Sequence, residues 1–213
     1  MKSAAKITCA FVDIGGVLLT NGWDHHACRR AAANFKLAWA PMEARHRMAF
    51  EIHEEGELTF EEYLGLVIFD EKRAFTRAQF RAFMLSQSKP YPRMLQMIAD
   101  LKLRKGLKIV VVSNESRELN AHRIGTFKPG EFVDFFVSSC FVQMRKPDAN
   151  IFRLALDMAQ VQAREVVYIE NTQMFVEIAE GLGIQSILHT GFDSTCAKLT
   201  SLGLLNLEKE QKQ

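Results

Sequence analysis

The chain has 213 residues, 48% of them hydrophobic and 24% charged, with a formal net charge of +2. That size supports one domain, or a domain with an insert, around a sizeable core, and the charged fraction excludes wholesale disorder. Acids and bases are interspersed, no apolar run reaches membrane-spanning length and no long apolar stretch with a cleavage site follows the N-terminus, so no nucleic-acid or membrane partner is expected and the chain reads as cytoplasmic.

The first predicted element is "KITCAFVD" (6–13), a near-continuous apolar run of the kind buried on both faces of a parallel sheet. It delivers Asp13 into the glycine pair Gly15 and Gly16. Residues 21–89 do not continue a strand–helix alternation. They read as helices only: "HHACRRAAANFKL", "MEARHRMAFEIHEE", "TFEEYLGLVIF" and "RAQFRAFMLS". Within them "EEGEL" predicts a helix end at Gly56 and a new start with Thr59 as N-cap and Glu62 three residues on. Two prolines in "SKPYP" (88–92) end this helical stretch.

Alternation then takes over. A helix over 92–106 closes on Gly106, followed by a strand over 107–114 that ends on Ser113 and Asn114. A weaker strand covers 132–139, and "MRKPDANIF" sets Lys146 just before Pro147 at the start of a helix over 148–161. A strand over 165–171 ends on Glu170 and Asn171, then come a helix over 174–183 and a strand over 184–190. The tail "LEKEQKQ" reads as frayed. The expectation is an α/β fold: a doubly wound, parallel-sheet, Rossmann-like core (1–20 and 90–213) with a small all-helical cap (21–89) inserted after the first strand.

Cys9, Cys28, Cys140 and Cys196 are far apart, form no metal-binding spacing and suit a reducing compartment, Cys9 and Cys140 as small core residues. His46 and His53 lie seven apart on one helix face, without further ligands at zinc-like spacing; each reads as packed or solvated, with His53 able to face a substrate. His25 and His26 fall near the hinge, Trp23 and Phe50 read as cap core or rim, and Met94, Met97, Met158 and Met174 as core filling.

A parallel sheet brings strand ends to one edge. Asp13, Ser113 with Asn114, Lys146, and Glu170 with Asn171 would therefore meet: a nucleophile, a hydroxyl with backbone amides, a cation and an acid able to hold a metal. That set suits phosphoryl transfer. The bland alternatives are turn, cap and strand-end roles for each residue taken alone.

Together "DIGGV", "VVVSN", "RKPDANIF" and "YIEN" resemble the haloacid dehalogenase (HAD) superfamily, and the helical insert resembles its type-I cap. Within it, "VVVSN" followed by Arg117, "RKP" and "HEEGEL" look closest to bacterial sugar-1-phosphate (glucose-1-phosphate) phosphatases. The resemblance implies that Asp13 attacks phosphorus to form an aspartyl-phosphate, that Ser113 and the Asn114 amide bind phosphate, and that Lys146 pairs with Asp13 and phosphate. It further implies Mg²⁺ between Asp13, the Gly15 carbonyl and Glu170, with Asn171 behind them. Arg117 would contact phosphate or substrate, or be a surface arginine.

Two departures matter. Most family phosphatases carry a second aspartate where this chain has Gly15; glycine keeps the carbonyl but loses the side chain that protonates the leaving oxygen. A positioned general acid contributes about 10²–10⁴-fold. Where relatives have two aspartates this chain has Glu170 and Asn171, so weaker metal binding is expected. The leading expectation is a Mg²⁺-dependent phosphatase, a monomer or homodimer, acting on a small phosphorylated metabolite. The alternatives are a metal-free carbon–halogen hydrolase using Asp13 on carbon, or a catalytically weakened phosphate-binding regulator.

Overall fold

A computed structural model of the protein describes residues 6–205; the expected frayed tail over 207–213 lies outside the described residues. Five parallel strands form one sheet: β1 (Cys9–Val12), β2 (Lys108–Ser113), β3 (Phe135–Ser138), β4 (Val166–Glu170) and β5 (Gln185–Leu188), in the order β3-β2-β1-β4-β5. The chain builds outward from β1 on one side and then crosses to the other. The order therefore reverses at β1, which is where such sheets open a crevice beyond their carboxyl ends.

The strands alternate between two apolar layers. Ala10, Val12, Ile109, Val111, Val167 and Ile169 pack on helices α5 (Pro92–Lys105) and α10 (Phe192–Ser201). Phe11, Val110, Val112 and Tyr168 pack on α8 (Asn150–Ala159) and α9 (Gln173–Gly181). Burial on both faces explains why these strands read as continuous apolar runs. The fold is thus the doubly wound, Rossmann-like α/β arrangement that the sequence pattern implied.

Between β1 and α5 the chain forms α1 (His25–Asn34), α2 (Trp39–Glu54), α3 (Phe60–Val67) and α4 (Arg77–Ser86). These share an apolar cluster that includes Trp23, Ala31, Phe60, Tyr63, Leu64 and Phe80. The local signals act where expected: Thr59 and Glu62 form a capping box, Thr76 and Gln79 form another, and Gly106 ends α5 with φ 68°. A cap contributes about 1 kcal/mol, while burying one Leu or Phe side chain contributes about 1.5–3 kcal/mol. The caps set where these helices begin; the shared cluster holds them together.

The two linkers to this helical segment run side by side. Thr20 N–H donates to the Lys89 carbonyl at 2.8 Å, and the Thr20 hydroxyl donates to the Gln87 carbonyl at 2.7 Å. At the far end of α2, a Cβ on Gly56 would lie 2.3 Å from the Cys140 carbonyl oxygen, and φ there is +76°. Glycine at 56 thus lets the helical segment close onto the sheet domain, against α7 (Ser139–Val142).

Several expectations need correction. The sequence reading assigned no helix to α6 (Arg117–Phe127) or α10. In α6 the buried positions include Asn120 and Arg123, so no apolar stripe marks its inner face. Met158 and Met174 are 48% and 57% exposed rather than core, whereas Met94 and Met97 are buried. All four cysteines are buried and none forms a disulfide. Among the described residues no helix is long and apolar enough to cross a membrane.

Candidate active site at the carboxyl edge of the sheet

Asp13 directly follows β1, and its N–H donates to the Ile169 carbonyl at 3.0 Å, so the sheet register carries straight into the acid. The chain then turns: the Ile14 carbonyl accepts from the N–H groups of Leu18 and Leu19, both at 3.0 Å. Gly16 has φ +79°, and a Cβ there would lie 2.2 Å from the end of the Asn171 side-chain amide. Only glycine permits this turn against the end of β4.

Ser113 and Glu170 end β2 and β4, the two strands that flank β1. Asn114 reaches across to the 143–149 loop. Its side-chain N–H donates to the Lys146 carbonyl at 2.9 Å, and its oxygen accepts from the Lys146 N–H at 2.8 Å. That bidentate grip aims the lysine inward. Lys146 is 1% exposed. Its ammonium donates to Asp13 Oδ1 at 2.8 Å, Glu170 Oε2 at 2.6 Å and the Tyr168 hydroxyl at 3.1 Å. Three donors meet three acceptors, so the ammonium is fully satisfied without water.

Glu170 is equally committed. Oε2 also accepts from the Tyr168 hydroxyl, and Oε1 accepts from the N–H groups of Asn171 and Thr172, each at 2.9 Å. Burial alone would lower the Lys146 pKa, but the Asp13 and Glu170 carboxylates outweigh it and hold the ammonium above its ordinary value. Burial pushes the Asp13 carboxyl up; Lys146 opposes that, Glu170 adds to it, and the Ser113 hydroxyl opposes it again.

Metal donors are oxygens only. The Asn171 side-chain amide donates to the Gly15 carbonyl at 3.1 Å and to Glu170 Oε1 at 2.9 Å. Neighbouring ligands of an octahedral Mg²⁺ lie about 3 Å apart. The Asp13 carboxylate and the Gly15 carbonyl are oxygen donors that suit a hard cation, and turning the Asn171 amide over would add its oxygen as a third. The family resemblance implies Glu170 on the metal with Asn171 behind it. Here both Glu170 oxygens are taken up by Lys146, Tyr168 and backbone amides, and Asn171 is the side chain at the Gly15 carbonyl. Among the described residues no group of three His, Cys, Asp or Glu side chains is placed to hold a metal ion; of the donors named here only Asp13 carries a charge.

A cavity of about 300 Å³ opens over this edge, between the sheet domain and the helical segment. Five carboxylates (Asp13, Asp24, Glu54, Glu115 and Glu170) and two cations (Arg145 and Lys146) line it. Glu54 comes from the end of α2 and pairs with Arg145 at 2.9 Å. Burial pushes the Glu54 carboxyl up. Burial also pushes Glu115 up, to about 7, against the opposing pull of the adjacent Arg123. Arg123 is 1% exposed and holds both linkers, donating to the Ser88 hydroxyl at 3.1 Å and the Thr20 carbonyl at 2.8 Å, and it also donates to Glu115 Oε1.

Sequence reasoning did not single out Glu54, Glu115, Arg123 or Arg145. Glu115 carried a signal in its position directly after "SN"; Arg123 carried none. Arg117 is exposed, stands over the Phe141 ring at 4.9 Å and does not line the cavity. His53 is buried, bonded to the Leu58 carbonyl at 2.9 Å and stacked on Tyr63; His46 meets the Tyr63 hydroxyl at 2.7 Å. Both are packing residues of the helical segment, and burial holds His46 down at about 4. Trp23 and Phe50 line the cavity.

Comparison with known proteins agrees with the fold. Residues 7–183 match the family model of haloacid dehalogenase-like hydrolases. Over 137 residues the chain is 29% identical to bifunctional epoxide hydrolase 2 of Sus scrofa, a match that takes in 62% of this chain and 23% of that protein. The chain thus spans less than a quarter of that relative's length. A HAD-like family hydrolase of Porphyromonas gingivalis superposes with TM-score 0.74 at 19% identity, over 95% of this chain and 100% of that one. A HAD-family enzyme of Bacteroides thetaiotaomicron, solved with magnesium and inorganic phosphate, superposes with TM-score 0.72 at 19% identity, over 85% and 93%.

Proposed function

The chain belongs to the haloacid dehalogenase-like hydrolases, and from that premise we propose that it is a Mg²⁺-dependent phosphatase acting on a small phosphorylated metabolite, a sugar phosphate among the candidates. The observation that carries this reading is the buried array in which Lys146 bridges Asp13 and Glu170 at 2.8 and 2.6 Å.

Asp13 is the nucleophile in this reading. Lys146 keeps it ionised despite burial and holds the carboxylate in one orientation. Glu170 fixes Lys146 in turn and balances its charge. Ser113 adds a hydroxyl beside Asp13, and the Asn114 amide can meet a phosphate oxygen. The helical segment closes the cavity and excludes bulk water, which strengthens each of these interactions.

The metal follows from charge. The cavity wall carries more carboxylates than cations, so a phosphate dianion entering it meets net repulsion. Asp13, the Gly15 carbonyl and Asn171 are the residues that would hold Mg²⁺, and the ion would supply the charge neutralisation that the side chains lack. The cavity, about 300 Å³, suits a metabolite of sugar-phosphate size.

The test is hydrolysis of an activated aryl phosphate with and without Mg²⁺, by the wild type and Asp13→Asn. Mg²⁺-dependent turnover that disappears in Asp13→Asn is expected. Release of chloride from a 2-haloacid without metal, and no phosphatase activity, would replace this reading with the carbon–halogen one.

A further inference from the structure

Gly15 places no side chain over Asp13, so the turn after β1 offers no acid to a departing oxygen. The space beside it is filled from α6 and from the end of β2. A Cβ on Gly15 would lie 3.7 Å from Arg123 Nη1, and that same nitrogen pairs with Glu115 Oε1. Glu115 Oε1 also lies 3.4 Å from the Ser113 hydroxyl, which itself faces Asp13. Glu115 Oε2 is different: it is buried and has no partner, on a residue 1% exposed that lines the cavity with Asp13. An ionised carboxylate would leave that oxygen unsatisfied, whereas a protonated one has an O–H to give.

We propose that Glu115 is the general acid of this site, supplying through Oε2 the proton that a side chain at position 15 would otherwise give. The proposal rests on the phosphatase reading above. As Asp13 forms its bond to phosphorus, the bond from phosphorus to the leaving oxygen breaks and its electron pair stays on that oxygen. The Glu115 proton goes there, and an alcohol departs. Glu115, now a carboxylate, takes a proton from the water that attacks the aspartyl-phosphate, which frees Asp13 and restores the acid. The groups facing the Glu115 carboxyl come from three elements: Asp13 beyond β1, Glu54 on α2 and Arg123 on α6, together with the Ser113 hydroxyl. Burial, opposed by Arg123 and reinforced by Asp13 and Glu54, sets the carboxyl at about 7, a value matched to proton transfer at neutral pH.

The competing account is that Glu115 serves only to partner Arg123, which holds both linkers. The two accounts differ in what they do to leaving groups. A structural loss lowers turnover of every substrate alike; loss of an acid is felt most by poor leaving groups.

The experiment uses the full chain with Mg²⁺, a series of aryl phosphates of graded leaving-group acidity, and a simple alkyl phosphate. Glu115→Gln keeps an oxygen for Arg123. It is expected to lower kcat/KM, which reports transfer to Asp13 and not the later hydrolysis common to all substrates, by about 10²–10⁴-fold for the alkyl phosphate while changing the most activated aryl phosphate only a few-fold. It should also remove the alkaline limb of the kcat/KM–pH profile. Glu115→Asp, whose shorter side chain withdraws the acid, should show the same selectivity and guards against misfolding of the first variant. An equal loss across the series, no loss, or a leaving-group-selective loss in Glu54→Gln instead would overturn the assignment. If the wild type turns over none of these esters, the phosphatase reading itself falls and takes this assignment with it.

Discussion

The Lys146 ammonium lies 2.8 Å from the Asp13 carboxylate, although 133 positions separate the two residues in the chain. The parallel sheet makes that meeting possible: β1 and β4 are neighbours in register, Val12 opposite Ile169, so Asp13 and Glu170 emerge side by side and share one lysine.

Removing that lysine leaves two buried carboxylates facing each other. Lys146→Met is expected to destabilise the protein by about 3–5 kcal/mol, the usual cost of breaking a buried ion pair from one side. It should also abolish turnover. Urea unfolding of the variant checks the first part; a change below 1 kcal/mol would show that the array contributes little to the fold.

Asn171 stands at the Gly15 carbonyl, where a carboxylate would add charge to the metal donors. Asn171→Asp should lower the half-saturating Mg²⁺ concentration on the order of tenfold. Without Mg²⁺ the variant should melt below the wild type, because the new charge lies beside Glu170. The shift of melting temperature with Mg²⁺ measures both effects. Unchanged Mg²⁺ dependence would mean that the metal does not use position 171.

The two glycines after Asp13 should respond in opposite ways. A Cβ at position 15 meets nothing nearer than 3.6 Å, so Gly15→Asp should fold. In a Glu115→Gln background it should restore turnover of an alkyl phosphate by at least about tenfold, as a replacement acid. Gly16→Ala puts its Cβ 2.2 Å from Asn171 in a left-handed backbone and should lose about 2 kcal/mol or more. Thermal melts and kcat on the same substrates decide both.

How much of this was legible in sequence follows from what sets each position. Asp13, Ser113, Lys146 and Glu170 sit at strand ends or just before a helix, where apolar runs and breakers mark the place and parallel topology implies the meeting. Glu54, Arg123 and Arg145 depend on how helices dock, and nothing local encodes that. Arg123 even hid its own helix, since a buried arginine and Asn120 interrupt the apolar stripe of α6. Arg117 drew attention through its place after "SN", yet the helix turns it out to Phe141 and brings Arg123 inward instead.

Glu115 also predicts a pH dependence of stability. Its carboxyl is raised from an ordinary 4.5 to about 7 in the folded protein, so folding favours the protonated form. That contribution is fully present below about 4.5 and is lost as pH rises through about 7. It amounts to about 3 kcal/mol at most. Glu115→Gln should flatten the fall in unfolding free energy between pH 5 and 8. Urea denaturation across that range would show it, and a slope equal to wild type would locate the titration elsewhere.

The central claim is that Asp13 carries the phosphoryl group. The most direct measurement is to quench the enzyme in acid during turnover of an activated aryl phosphate with Mg²⁺, and to map added phosphoryl mass by peptide mass spectrometry. The account predicts one phosphoryl group on the peptide that contains Asp13, absent from Asp13→Asn, which should also lose turnover. Steady hydrolysis with no phosphorylated peptide and undiminished activity in Asp13→Asn would contradict it.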